Sequence, residues 1–166
     1  SPFGNGVPGA SDTGINNIIG STATIGTGDN VTVTSLGAQA GTISVTDGSL
    51  AATTVQASGS NGLFSVSGGT VNLANLQITG AYGAIANSGG VVTVTTDARV
   101  ATANAVWNIS GGTLNLPKFT IGSAASNNTN NVVTVSGNAV VTQTQGTGGG
   151  ANRELWIGGN NAGSGT

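Results

Sequence analysis

The chain has 166 residues, which is enough for one ordinary domain with a buried core. Charged residues make up 5% of it, and five acidic and three basic residues give a formal charge of −2, which argues against a nucleic-acid partner and against attraction to an anionic membrane. No apolar run reaches the roughly 20 residues that span a bilayer, which argues against membrane insertion, and without Cys there is no disulfide framework.

The first 21 residues differ from the rest of the chain. They are rich in Gly and Pro, lie outside the repeat described below, and place Phe3, Val7 and Ile15 in a polar background. We therefore divide the chain into a Gly/Pro-rich N-terminal arm, residues 1–21, and a β-solenoid repeat domain, residues 22–166. A flexible arm with a few apolar side chains is suited to pack on a neighbouring molecule. The sequence thus predicts that the arm contacts a second copy of the chain.

Two related segments define the repeat: SGGTVNLANLQITG at residues 67–80, and SGGTLNLPKFTIGS at residues 110–123, which begins 43 residues later. In the second segment Leu114 and Leu116 share one face of a strand, because residues two apart point the same way. Leu116 and Phe119 are three apart, so the chain has to turn between them to keep both on that face. The Gly-Gly and Pro-Lys pairs are the expected corners. Short strands that turn corners and face their apolar groups one way are typical of a solenoid coil.

Further markers extend this pattern over the repeat domain. An Ile before a polar loop recurs at spacings of 53, 43 and 36 residues, and a Val-Thr-Val strand follows three of the four markers. A period near 43 residues indicates stacked repeats, with two coils of about 20 residues in each period. We therefore predict an all-β fold, a right-handed parallel β-helix of short strands with little or no helix. Stacked Asn side chains are expected to exchange amide hydrogen bonds at its corners. The markers are Ile25, Ile78, Ile121 and Ile157.

Several motifs resemble those of the autotransporter-associated β-strand repeat proteins, which are long, secreted, Gly/Thr/Asn-rich bacterial proteins. The motifs are SGGTVNL, SGGTLNL, NNVVTVSGNAVV and LWIGGNNAGSGT. The resemblance covers roughly residues 22–166. It implies a secreted or surface-displayed parallel β-solenoid with a structural or adhesive role, supplies no catalytic residue, and leaves the route of secretion open.

This chain contains few residues of the types that enzymes use for catalysis. Without His or Cys, a nucleophilic site would need a Ser–Lys pair, and Lys118, the single lysine, lies at an expected corner. Polysaccharide cleavage needs two carboxylates within about 5–10 Å, and the five acids are scattered, although residues on neighbouring coils can meet. A calcium site in GTGDN, residues 26–30, would be expected to recur and does not. We predict no catalytic residue, no cofactor and no metal. The acids are Asp12, Asp29, Asp47, Asp97 and Glu154.

Thr-x-Thr triplets raise ice binding as an alternative, because regular Thr rows on a flat face resemble ice-binding surfaces. Their spacing is irregular, and the β-propensity of Thr on an exposed strand accounts for them as well. The triplets occupy residues 22–24, 32–34, 93–95 and 142–144.

The ends of the repeat domain carry the functional prediction. A solenoid needs polar caps on its terminal coils, and neither end shows a capping helix or charged residues that block an edge. Either the chain is a fragment of a longer solenoid, or copies cover each other's ends head to tail, an arrangement that forms filaments. We therefore predict a non-enzymatic extracellular protein of the cell surface, a subunit of a fibre, sheath or surface layer whose partners are other copies of itself. The expected assembly contacts are Phe3, Val7, Ile15, Leu155, Trp156 and Ile157.

Two alternatives stand beside assembly. The chain is an adhesin passenger segment in the first, and a β-helical polysaccharide lyase or hydrolase in the second. Both make a cell-surface polysaccharide the second candidate partner.

Overall fold

The structure, a computed structural model, describes residues 9–122, 129–143 and 154–157. In the last range it describes the backbone of all four residues and the side chain of Leu155 alone. These residues form thirteen β-strands and no helix, hence none that could span a membrane, and all strand pairs are parallel. The all-β parallel β-helix expected from the repeat is confirmed. The strands are β1 (Thr13–Asn16), β2 (Thr22–Ile25), β3 (Asn30–Ala38), β4 (Thr42–Val45), β5 (Ser49–Ala57), β6 (Leu63–Val66), β7 (Thr70–Ile78), β8 (Ala84–Val100), β9 (Val106–Leu116), β10 (Lys118–Ile121), β11 (Val132–Val135), β12 (Val140–Gln143) and β13 (Glu154–Ile157).

Each coil has three sides, which we call faces A, B and C in chain order. Face A holds β2, β4, β6, the beginnings of β8 and β9, and β11. Face B holds the first halves of β3, β5 and β7, the middle of β8, the end of β9, and β12. Face C holds β1, the second halves of β3, β5 and β7, the end of β8, then β10 and β13. The result is a stack of complete coils with β1 before it and three strands of a further coil after it.

The pairing register fixes the length of a coil. On face B, Thr70 pairs with Val91 and Val92 with Leu114, which makes the successive coils 21 residues (70 to 91) and 22 residues (92 to 114) long. The two SGGT segments therefore lie two coils apart at the same corner. Residues 88–91, with the sequence SGGV, are the copy between them. The expected two coils per 43 residues are confirmed.

The Ser-Gly-Gly motif turns the chain from face A to face B. Gly69 has a φ of 72°, a left-handed conformation that is unfavourable for any residue with a Cβ. A Cβ at Gly69 would also collide with the carbonyl oxygen of Gly48 in the preceding coil. Stacked coils lie about 4.8 Å apart, which leaves no room for a side chain inside this corner. The motif therefore recurs because the corner requires it.

Alternate residues of each face point inward and form one continuous core. Trp107 is the largest of these side chains, and its ring lies edge-on against Phe119 with the centroids 5.0 Å apart. Trp107 Nε1 donates a hydrogen bond of 2.8 Å to Oδ1 of Asn87, which is itself buried in the core, whereas Asn87 Nδ2 makes no hydrogen bond. The neighbours of Asn87 in its column are Val66 and Ile109, so this amide is a polar exception between apolar residues.

The corner from face C to face A carries asparagine before β9 and before β11. Asn104 and Asn130 both have left-handed backbones, with φ of 56° and 59°, a conformation that Asn tolerates better than most residues. Asn130 Nδ2 donates a hydrogen bond of 3.2 Å to Asn104 Oδ1 in the preceding coil. The expected exchange of amide hydrogen bonds at corners is confirmed at this pair.

Candidate functional site at the two ends of the solenoid

The N-terminal end of the solenoid is covered on one face. β1 lies over face C of the first coil and pairs with residues 35–38. Among the described strands, β2 pairs with β4 alone, and the first half of β3 pairs with β5 alone. Within the described part of the chain, the outer edges of β2 and of the first half of β3 therefore present N–H and C=O groups without a strand partner, and such an edge templates another chain.

The turn between β1 and β2 exposes apolar side chains at this end. Ile18 and Ile19 are 66% and 77% exposed. Asn16 ties the turn to the beginning of β4 in the second coil, because its Nδ2 donates to the carbonyl oxygen of Thr42 at 2.8 Å, and Ser21 Oγ donates to Asn16 Oδ1 at 2.6 Å. A cavity of about 250 Å³ lies beside the turn. This end therefore combines open strand edges with uncovered isoleucines.

The C-terminal end exposes side chains that belong to the core columns. Val135 pairs with Ile109, which is 1% exposed, yet Val135 itself is 57% exposed. Val141 pairs with the buried Leu114 and is 38% exposed. Leu155 pairs with the buried Phe119 and is 59% exposed. These inward positions are uncovered because no further described coil lies over them.

The expected assembly contacts separate into three groups. Ile15 lies at the N-terminal end on the outer side of face C, opposite Gly37, and Leu155 lies at the C-terminal end. Phe3 and Val7 lie outside the described residues, as do the side chains of Trp156 and Ile157, whose backbones pair with Thr120 and Ile121. The structure adds apolar positions that the sequence did not single out, although the Val-Thr-Val motif marked one of their strands. These are Ile18, Ile19, Val135 and Val141.

The arm shows a difference from the sequence prediction. Residues 1–21 were expected to pack on a second copy, but β1 within the arm pairs with residues 35–38 of its own chain. This pairing was not predictable from the sequence, because Gly14 and Asn16 occupy the inward positions where later coils carry apolar residues. A contact between the rest of the arm and another copy stays a prediction.

Face C gathers charged residues on its outer side. Arg99 Nε lies 3.5 Å from Asp97 Oδ2, and Arg99 Nη2 donates to Gln77 Oε1 at 3.3 Å. Gln56 Nε2 donates to the same Gln77 oxygen at 3.3 Å, so that Gln77 is buried beneath its neighbours. Lys118 lies beside Asp97 in the next coil, because Phe119 and Ala98, the residues that follow them, are paired. The guanidinium is thus held in place, while the Arg99 side chain stays 43% exposed.

The other described carboxylates serve turns. Asp29 Oδ2 accepts from the backbone N–H of Gly26 at 2.8 Å, and Asp47 Oδ2 accepts from Thr27 Oγ1 at 2.8 Å. Asp12 Oδ2 accepts from the backbone N–H of Gly9 at 2.7 Å. The bonds of Asp29 and Asp12 are the local contacts by which Asp stabilises turns, whereas the bond of Asp47 joins the corners of two neighbouring coils. Within the described ranges there is no group of three or more metal-ligating side chains.

The threonine triplets fall on different faces. Thr22 and Thr24 lie on face A, whereas Thr32, Thr93 and Thr142 lie in one column of face B. That column is interrupted by Ala51, Asn72 and Asn115. Thr144 lies outside the described residues. The described threonines therefore form no regular two-column array.

Comparison with known proteins finds no matching family model, no matching curated protein and no matching solved structure. The resemblance to the autotransporter-associated repeat proteins stays an expectation from the sequence.

Proposed function

We propose that this chain is a non-enzymatic structural protein of the cell exterior, a β-solenoid subunit that joins other copies end to end in a fibre, sheath or surface layer. The observation that carries the proposal is the exposure of core-column side chains at one end and of unpaired strand edges at the other. Stacking two copies would pair β11 with β2, and β12 with the first half of β3. It would bury Val135 and Val141 by the same contacts that bury their equivalents inside one copy.

The chemistry of these ends favours another solenoid coil over an unrelated partner. Backbone hydrogen bonds across a strand edge require a parallel strand of the same spacing, and the inward columns require apolar side chains at matching positions. Val135 would meet Ile25, and Val141 would meet Val31, which repeats the apolar pairing seen inside the solenoid. On faces A and B a second copy supplies both features.

Electron microscopy of the purified chain tests the proposal. We expect unbranched filaments, and because one copy adds six strands to face A, an axial repeat of about 29 Å at about 4.8 Å per coil. Val141→Asp should abolish the filaments, because it places a charge in the joined core. Val140→Asp is the matched control, since Val140 is the exposed, outward-facing neighbour on the same strand.

The variants are informative only if both fold, which circular dichroism dominated by β-structure would establish. Wild-type protein that stays monomeric up to millimolar concentration would contradict the proposal. Filaments that tolerate Val141→Asp as well as Val140→Asp would show that copies associate through their sides.

Face C supports adhesion to a polysaccharide as a second candidate function. Sugars are bound by planar polar side chains held in place by their neighbours, and Arg99, Asp97 and Gln77 have this arrangement. The test is migration in native gels that contain xyloglucan or polygalacturonate. Arg99→Gln should abolish any retardation, whereas Asp47→Asn, a substitution at the corner between faces A and B, should preserve it. Equal migration of wild type in gels with and without polysaccharide would remove this candidate.

A further inference from the structure

The three faces do not hold equal numbers of strands. In the described residues face C has seven strands, from β1 to β13, whereas faces A and B have six each. The extra strand is β1, which precedes the first complete coil. Two copies stacked without a gap on faces A and B therefore have one strand too many on face C.

The surplus falls at a single place in the junction. β13 of one copy pairs with β10, and β1 of the next copy pairs with residues 35–38. When β11 meets β2 and β12 meets β3, one strand fits between β10 of the first copy and residues 35–38 of the second. β13 of the first copy and β1 of the second both occupy that position. One of them has to leave.

The core column at this position favours β13. The column runs from Phe119 in the first copy to Leu36 in the second, and both are buried. β13 would place Leu155 between them, whereas β1 would place Gly14 there. A missing side chain between two large apolar groups leaves a cavity that the surroundings fill only in part. Leu155 fills the column and loses its own exposure to water.

β1 is held mainly by backbone hydrogen bonds, which the exchange would replace. The N–H of Thr34 donates to the carbonyl oxygen of Asp12 at 2.8 Å, and the N–H of Gln39 donates to that of Asn16 at 2.9 Å. A β13 strand in the same register presents equivalent carbonyl groups. β1 places no large apolar side chain in the core, since Ile15 points outward and is exposed. The exchange therefore keeps the backbone hydrogen bonds and gains apolar burial, while it gives up the side-chain bond from Asn16 to Thr42.

We propose that β1 is an internal cap, which β13 of a neighbouring copy displaces when copies join; this proposal rests on the end-to-end assembly proposed above. In a single molecule the cap covers Leu36 and closes face C of the first coil. Its removal exposes the full edge of that coil to the next copy. The cap thus slows joining until another copy is in place to exchange with it.

A disulfide that fixes the cap tests the proposal. Thr13 pairs with Ser35, and adjacent residues in this register lie about 5 Å apart, within the range of a disulfide. The chain contains no Cys, so Thr13→Cys with Ser35→Cys introduces the one possible bridge. We expect the oxidised variant to form filaments at least about tenfold more slowly than the reduced one, because the bridge removes the open state.

A matched pair in the middle of face C controls for the disulfide itself. Thr54→Cys with Asn75→Cys joins neighbouring coils in the same column, away from both ends. This variant should assemble equally fast when oxidised and when reduced. If the oxidised Thr13–Ser35 bridge also leaves the rate unchanged, β1 does not leave its place and the proposal is wrong.

Cross-links between copies separate the exchange from the stacking. Ser35→Cys with Glu154→Cys should join copies in filaments, because the exchange makes these residues neighbours; within one copy they are five coils, about 24 Å, apart. Thr22→Cys with Val132→Cys should join copies by stacking alone. Cross-linking of the second pair without the first would overturn the exchange and leave end-to-end assembly in place. Failure of both pairs, with no filaments, would overturn both proposals.

Discussion

Replacement of Trp107 by Ala should lower the free energy of unfolding by about 3–5 kcal/mol, the range for a fully buried aromatic side chain. The substitution removes the edge-on contact with Phe119 and opens a cavity in the fifth coil. It also deprives Asn87 Oδ1 of its hydrogen-bond donor, so that the whole amide is buried without a partner. Urea denaturation followed by far-UV circular dichroism measures the loss.

Two milder substitutions separate the hydrogen bond from the cavity. Trp107→Phe leaves the amide of Asn87 without a donor, and Asn87→Val leaves Trp107 Nε1 without an acceptor, so each should cost about 1–3 kcal/mol. The double variant has neither polar group, and Val fits a column in which Val66 and Ile109 are the neighbours. It should therefore be more stable than either single variant. A double variant as unstable as the sum of the singles would show that the hydrogen bond contributes nothing.

The repeat made the fold predictable at the level of strands and corners. Residues two apart, such as Leu114 and Leu116, revealed which side chains face the core, and the slip before Phe119 placed a corner that the structure confirms. The coil of 21 or 22 residues was recognised through a repeat of twice that length. The intermediate copy, SGGV at residues 88–91, was missed because Val replaces Thr and the following strand has a different sequence.

Other features required the stacking register. Gln77 and Arg99 are 22 residues apart in the sequence and meet because they are paired on neighbouring coils, whereas Asp97 lies only two residues from Arg99 on the same side of β8. Asn87 reads as an ordinary loop residue next to Ser88 and Gly89, yet its position in face A puts it in the core. The pairing of β1 with residues 35–38 was also not predictable, because Gly14 and Asn16 stand where later strands carry the apolar residues that identify them. Side-chain pattern locates strands that bury apolar groups, and it does not locate a strand held by its backbone.

The corner glycines provide the last prediction, because two of them separate backbone strain from contact between coils. Gly69 has a φ of 72°, and a Cβ there would collide with the carbonyl oxygen of Gly48. Gly28 turns the same corner in the first coil with a φ of 83°, and a Cβ there would meet nothing within 4 Å. Gly28→Ala should therefore cost about 1–2 kcal/mol of unfolding free energy, the strain of a left-handed residue.

Gly69→Ala should cost this strain and a further contribution of about 1–3 kcal/mol from overpacking, because the carbonyl of Gly48 lies at a corner between stacked coils, where close packing keeps it from moving aside freely. The N–H of Thr70 donates a hydrogen bond of 3.0 Å to this same carbonyl oxygen. Displacing the carbonyl therefore also disturbs the pairing of β7 with β5, which begins at Thr70. Urea midpoints of the two variants, measured beside wild type, give the difference. Equal losses would mean that the coils can separate at this corner without cost. A larger loss for Gly69→Ala would show that the Gly-Gly motif is required by the close stacking of coils, which is also the contact through which a further copy would join.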